Sequence, residues 1–280
     1  MSRSTKIVAT LGPASSDADT LERLILAGVD VVRLNFSHGT ADDHIARANL
    51  VREIAARHQR SVAILADLQG PKIRVGKFAE GKVMLEPGEK FILDASRETP
   101  GDIKGVGLDY KELPRDVKAG DLLLLNDGLI VLTVNAVRGE EVHTTVKLGG
   151  ELSNNKGINK QGGGLTAPAL TGKDMEDIRT AMSFQADYVA VSFPKNATDM
   201  EMARQLCNVA AAPYKHKPGL IAKIERAEAI TQSGRIVPSI AWVCAMAINV
   251  ALEASSVNAL PSLLTYHDRV SVIPRLAEEL

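Results

Sequence analysis

Apolar residues in the first part of the chain alternate between two rhythms. Residues 6–11, 31–36 and 61–67 are short apolar runs of strand length. Between them Leu21, Leu24 and Ile25, and then Ile45, Ala48, Val51 and Ala55, recur at near-helical spacing. Ser16 with Asp19, and Thr40 with Asp43, have the form of capping boxes, in which a hydroxyl and a later acidic side chain satisfy the first backbone amides, so they predict where the two helices start. Strands separated by helices of this length predict right-handed βαβ units and therefore a parallel sheet or barrel.

The rhythm changes at Pro71. Residues 82–85, Pro87-Gly88 and residues 91–93 read as strand, turn, strand; residues 122–125 and 129–134 flank Asn126-Asp127-Gly128 as a hairpin, and Arg138-Gly139 marks a further turn before residues 142–146. No helical period is evident over most of 71–164, which predicts a β-rich domain inserted between two βα units and closed by Gly162-Gly163-Gly164. Helix chemistry returns with Thr171 and Asp174, followed by a strand at 188–193, a helix at 199–210 and a strand at 220–224. The expected organisation is a barrel domain in two parts, 1–70 and 165–230, an insertion at 71–164, and a tail of different texture at 231–280. The strand at 220–224 is expected to leave an open sheet edge, which a buried helix at 240–252 and a short strand at 270–273 would cover.

Composition narrows the class. The chain has 280 residues, 45% of them hydrophobic, which suits one large domain or two modest ones. Lys+Arg 33 against Asp+Glu 34 leaves a net charge of -1, so no field for nucleic acid or an acidic membrane is expected. The start runs straight into the first strand without the long apolar stretch of a signal peptide. The apolar stretch 236–252 contains Pro238, Ser239 and Asn249 and falls short of the ~20 residues that a membrane span needs. Cys207 and Cys244 have no metal or redox spacing, and a cytoplasmic location is expected.

Three strand ends carry candidate chemistry. Lys223 and Glu225 lie at i and i+2 at the end of one apolar run, so both would leave the same face of a strand. Arg33, Asn35 and Ser37 share a face where the second strand ends, and Asp67 ends the third, with Lys72 and Arg74 beyond Gly70-Pro71. In a βα barrel such ends converge on one mouth, where this mixture of cations and carboxylates would suit phosphate groups and a metal. Plainer readings stand beside these: Lys223 and Glu225 as a surface ion pair on an edge strand, Asn35 to Ser37 as a polar turn capping a helix, His38 as a turn residue, and Gly162 to Gly164 as a hinge rather than a phosphate cradle. The six His show no zinc-ligand spacing.

The segments Thr5-Lys-Ile-Val-Ala-Thr-Leu-Gly-Pro-Ala-Ser15, Arg33-Leu-Asn-Phe-Ser-His-Gly39, Asp67-Leu-Gln-Gly-Pro-Lys-Ile-Arg74, Asn126-Asp-Gly-Leu-Ile130 and Lys223-Ile-Glu225 occur in the order found in pyruvate kinases, and the chain resembles that family from about Thr5 to Ile230. The resemblance implies an α/β fold, a partial (β/α)8 TIM-type barrel with an inserted small β-barrel lid domain. It implies phosphoryl transfer from phosphoenolpyruvate to ADP, giving pyruvate and ATP. Lys223, Arg33 and Arg74 would then be catalytic, with Arg33 and Lys223 on the substrate and Asn35, Phe36, Ser37, His38, Arg74 and Lys156 on the nucleotide. Mg²⁺ is implied on Glu225, and K⁺ at Asn35, Ser37, Asp67 and Leu68. Family members are usually homo-oligomers.

Past Ile230 the resemblance ends. The family's Ala-Arg-Gly-Asp segment, whose Asp is the second metal carboxylate, and its Ala-Thr-Gln-Met segment, whose Thr assists protonation of the enolate, are absent from these 280 residues. Low activity of the chain is therefore expected. The rival readings are an inactive fragment that binds nucleotide or phosphoenolpyruvate, and a metal-enolate aldolase or lyase, against which the inserted domain argues.

Many family members place Thr after the Asp of the third strand and Glu before Ile-Arg, and need K⁺; here those positions are Leu68 and Lys72. An ammonium on Lys72 would take the place of the cation and repel a second one. A full-length relative carrying this front half is expected to work without K⁺. Assays in sodium-free buffer with and without K⁺ check this, and a large activation by K⁺ would contradict it.

Overall fold

The computed structural model describes residues 6–71, 73–226 and 228–229, together with the backbone of 242–244. The chain begins with strand β1 (Val8–Leu11) and a single 3-10 turn (Pro13–Ser15) before helix α1 (Ala18–Ala27). Asp17, not Ser16, caps α1: its carboxylate accepts the Thr20 amide at 2.8 Å. The Ser16 hydroxyl donates to the Gly12 carbonyl at 2.8 Å instead, so the expected box at Ser16 does not form. Gly28 ends the helix at φ 105°, the left-handed conformation that closes a helix without a Cβ penalty. Strand β2 (Val31–Asn35), helix α2 (Ala41–Arg57) and strand β3 (Ala63–Asp67) follow. The Thr40–Asp43 capping box forms as the spacing predicts.

Residues 71–168 then make a second compact unit. It contains β4 (Lys82–Leu85), β5 (Lys90–Asp94), β6 (Gly105–Gly107), β7 (Leu122–Leu125), β8 (Ile130–Arg138), β9 (Glu141–Leu148), β10 (Gly150–Ser153) and β11 (Ile158–Lys160). A single helical turn, α3 (Leu113–Asp116), interrupts them, with Pro114 in its first turn and Leu113 buried. Six of the strands form one sheet in the order β11-β7-β8-β9-β5-β6, and β10 pairs with β4. Asn126, Asp127 and Gly128 all take positive φ and turn β7 back along β8. The strands on either side of Pro87-Gly88 do not pair with each other, since β4 takes β10 and β5 takes β9. Phe91, Leu93, Leu123, Leu125, Leu132 and Val142 fill this unit's core, which Leu165 and Ala167 join, so its chain continues past the glycine run.

The first unit resumes with α4 (Gly172–Ser183), β12 (Tyr188–Val191), α5 (Ala197–Ala211), β13 (Gly219–Lys223) and β14 (Trp242–Cys244). Its sheet is parallel throughout, in the order β1-β2-β3-β12-β13-β14. Two expectations are corrected here. The strand at 220–224 is not an open edge, because β14 pairs with it, Ile221 opposite Trp242. Part of the helix expected at 240–252 is that strand; a short apolar run cannot be told from a helix by periodicity, and an available sheet edge decides it. The strand expected at 270–273 lies outside the described residues, as does Lys72. Alternation within the strands gives the sheet two faces: Leu34, Ile64, Val189, Leu220 and Ala222 pack against Ile25, Val51, Ile178, Met182 and Cys207 of the helices, while Arg33 and Lys223 leave the other way. No helix among the described residues is long and apolar enough to cross a membrane.

Thr40 and Thr171 each accept the amide of the residue three places on, closing the first turn of α2 and α4. Thr40→Ala and Thr171→Ala are each expected to cost about 1 kcal/mol in urea unfolding. A neutral result at either position would contradict the caps.

Candidate functional site

Strands β2 and β3 run in register with Asn35 opposite Asp67, so their ends lie side by side. Asp67 Oδ2 accepts Arg33 Nε at 2.7 Å and lies 2.5 Å from Arg33 Nη2. Its other oxygen, Oδ1, is buried without an aligned hydrogen bond and faces the Lys223 ammonium at 3.3 Å. Arg33 also donates to Thr10 Oγ1 at 3.0 Å, which draws the end of β1 into the same cluster. Lys223 extends from the end of β13, donates to Ser192 Oγ at 2.8 Å and pairs with Glu225 Oε1 at 3.2 Å. Glu225 Oε2 accepts the Phe193 amide at 3.1 Å.

Two cations and two carboxylates thus share one place at the strand ends. Burial works against the Lys223 charge, but the Asp67 and Glu225 carboxylates outweigh it and hold the ammonium above its ordinary pKa. Burial pushes the Glu225 carboxyl above its ordinary value, with the Lys223 charge pulling against it. A cation so held stays charged at neutral pH and is desolvated, which strengthens its attraction for any developing anion beside it.

The turn after β2 is built from its own side chain: Asn35 Oδ1 accepts the Ser37 amide at 3.0 Å. The Phe36 amide donates to the Asp67 carbonyl at 3.0 Å, while its side chain is buried and stacks on His44 with centroids 4.0 Å apart. The Phe36 ring is therefore not presented to a ligand at this turn. Ser37 is half-buried and His38 exposed. Leu68 is buried too, and its carbonyl accepts the Ser192 hydroxyl at 2.6 Å.

Arg74 and Lys156 belong to the second unit. Arg74 forms an antiparallel bridge with Gly157, and the Val75 amide donates to the Lys156 carbonyl at 2.9 Å, so residues far apart in sequence lie on adjacent backbones. Among the described residues of this unit neither cation has a hydrogen-bond or ion-pair partner. Lys160, by contrast, is committed to Asp121 at 3.0 Å and to the Asp116 carbonyl at 2.9 Å. No group of three or more His, Cys, Asp or Glu that could hold a metal occurs among the described residues. Glu225 is a hard oxygen donor at the strand ends, a ligand type that suits Mg²⁺.

The family model for the barrel domain of pyruvate kinase matches residues 2–246. The chain belongs to the pyruvate kinase family. It is 56% identical over 229 residues to pyruvate kinase II of Salmonella typhimurium, a match covering 81% of this chain and 47% of the relative. It is 54% identical over 231 residues to the pyruvate kinase of Haemophilus influenzae, again 81% and 47%, and 42% identical over 241 residues to that of Corynebacterium glutamicum, 85% and 49%. The chain spans about half the length of the curated relatives it matches. The family model runs past Ile230 into the residues of β14, beyond the last segment that carries the pyruvate kinase resemblance in the sequence alone.

Sequence reasoning missed Ser192 and Gly70. Ser192 is buried at the end of β12 and bridges Leu68 to Lys223, which makes it the link between three strand ends. It carries the same signal as Lys223, a polar residue closing an apolar run. Gly70 sits at φ +67°, and a Cβ there would lie 2.9 Å from Ser192 Cβ. Gly70→Ala is expected to destabilise clearly more than Gly81→Ala, whose φ is +79° with nothing within 4 Å and which carries only the ~1 kcal/mol of left-handed strain. Equal losses in urea unfolding would contradict the close packing of Gly70 on Ser192.

Proposed function

We propose that this chain carries the front half of a pyruvate kinase active site, and that the full enzyme transfers the phosphoryl group of phosphoenolpyruvate to ADP, giving pyruvate and ATP. The observation that carries this reading is the charged, largely covered Lys223, its side chain 12% exposed, held between Asp67 and Glu225 in a chain of this family. In the proposed reaction a β-phosphate oxygen of ADP attacks phosphorus, the bond to the enol oxygen breaks, and that oxygen keeps the electron pair. Lys223 faces this oxygen as charge gathers on it, an interaction stronger in the transition state than before it. Arg33, fixed by Asp67, orients the phosphoryl group through its remaining guanidinium edge. Mg²⁺ on Glu225 would supply neutralisation of the substrate oxygens.

In the same reading residues 1–70 and 165–230 form the first part of a (β/α)8 barrel, and 71–164 is a lid whose Arg74 and Lys156 bring positive charge to the nucleotide phosphates. That neither cation has a partner among the described residues of its own unit supports that role, since such an Arg or Lys remains available to an anion. Lid closure would exclude water, which competes with ADP for the phosphoryl group. Asn35, Ser37, Asp67 and the Leu68 carbonyl would line the place of the family's monovalent cation, where Lys72 would supply the positive charge instead, and Asp67 already faces two protein cations there.

As 280 residues by themselves, the chain is proposed to bind ADP with little or no turnover. Glu225 is one carboxylate where the family uses two, and the Thr segment that assists enolate protonation is absent from the sequence. Phosphoryl transfer depends on in-line positioning and charge neutralisation, so losing either is costly.

The test is ADP titration together with a lactate dehydrogenase-coupled assay, using Lys223→Met to exclude contaminating host enzyme. ADP binding that weakens in Arg74→Ala, with turnover no higher than in Lys223→Met, is the expected result. Robust turnover lost in Lys223→Met would overturn the claim of low activity, and absence of both binding and turnover would overturn the site itself.

A further inference from the structure

The first turn of α4 touches two loops that leave different strands. Lys173 Nζ donates to the Phe36 carbonyl at 2.8 Å, in the turn after β2, and is itself held by Asp177 Oδ2 at 2.5 Å. The next residue, Asp174, is wholly buried. Its Oδ1 accepts the Gly70 amide at 2.9 Å, in the loop after β3, while its Oδ2 accepts the Thr171 amide and hydroxyl at 2.8 and 2.7 Å.

A third donor completes the hold on the first loop. His44, in the first turns of α2, brings Nε2 to 2.9 Å from the His38 carbonyl. Its Nδ1 is buried without a partner, so the ring is the neutral tautomer with the proton on Nε2, and that nitrogen donates. The carbonyls of Phe36 and His38 are therefore both tied down by side chains from helices, on either side of Ser37. Between two anchored carbonyls the Ser37 peptide has little freedom left.

We propose that the first turn of α4 is the positioning element of the strand-end loops, with Lys173 setting the turn at 35–38 and Asp174 setting the loop at 68–70. One rigid helical turn then fixes the spacing of the two loops. This inference rests on the reading of those loops as the nucleotide and phosphate site. Lys173 and Asp174 touch neither substrate nor nucleotide in it; they act through Phe36 and Gly70. The helix begins close behind the end of the second unit at Pro168, so the return of the chain into the first unit leads directly to the turn that holds both loops.

The test is Lys173→Met in the full chain, which keeps the apolar stem of a half-exposed side chain and removes the donor. Hydrogen exchange at the Ser37 and His38 amides is expected to rise by about tenfold, and ADP affinity to fall by about tenfold, with the melting temperature shifted by no more than about 2 °C. Lys173→Arg is expected to restore both. Asp174→Asn leaves one acceptor oxygen for three donors, the Gly70 amide and the Thr171 amide and hydroxyl, and exchange at Gly70 should rise. A lowered melting temperature with unchanged exchange and unchanged ADP affinity in Lys173→Met would assign Lys173 a purely structural role and overturn the proposal. If the parent chain binds no ADP, the reading of the site fails, and exchange at Ser37 and His38 still decides the positioning: opened by Met and closed by Arg upholds it, unchanged by either overturns it.

Discussion

A carboxylate buried as deeply as Asp67 must be paired, because its charge loses the hydration that would otherwise stabilise it. The chain solves this with two cations drawn from strands far apart in sequence. Arg33 comes from β2 and Lys223 from β13, and both meet the Asp67 side chain, which is 4% exposed. The arrangement constrains the sheet as well as the site, since strands whose ends share one carboxylate cannot slip in register without stranding a charge.

The neighbouring features follow from keeping that cluster in place. Strand alternation sends Val32, Leu34, Leu220 and Ala222 into the core and leaves Arg33 and Lys223 on the opposite face. Ser192 fills the gap between the ends of β3 and β13, and Gly70 permits its approach because no other residue leaves room for it. Phe193, next in the chain, takes φ 57°, uncommon for a bulky residue, and its amide meets Glu225 while Arg226 lies 5.9 Å from its ring centroid. Strain of that kind persists only where surrounding contacts over-determine the backbone. The second unit has a separate core, in which its sheets bury Phe91, Leu123 and Ile130.

Legibility in the sequence tracked the range of the interaction. The boxes at Thr40 and Thr171 could be read because donor and acceptor lie three residues apart. Ser16 misled because its hydroxyl had a second local acceptor in Gly12, a competition that spacing does not reveal. The pairing of Lys223 with Glu225 was visible as an i, i+2 pattern, whereas the contact of Lys223 with Asp67 spans most of the chain and belongs to the sheet order. For the same reason Arg74 and Lys156 gave no sign of lying on adjacent backbones. Strand β14 was hidden because an apolar run of that length takes its conformation from the edge it joins. Phe36 stands inside a motif that reads as polar, yet its ring belongs to the core.

The central claim is that Asp67 and Lys223 are energetically coupled, so that the cluster and not isolated side chains organises the strand ends. A double-mutant cycle measures this directly, with Asp67→Asn, Lys223→Met and the double variant compared by urea unfolding. The account predicts a coupling energy of at least about 1 kcal/mol, with the double variant more stable than the sum of the single losses implies. Losses that add within about 0.3 kcal/mol would show that the two charges stand independently, and would contradict it.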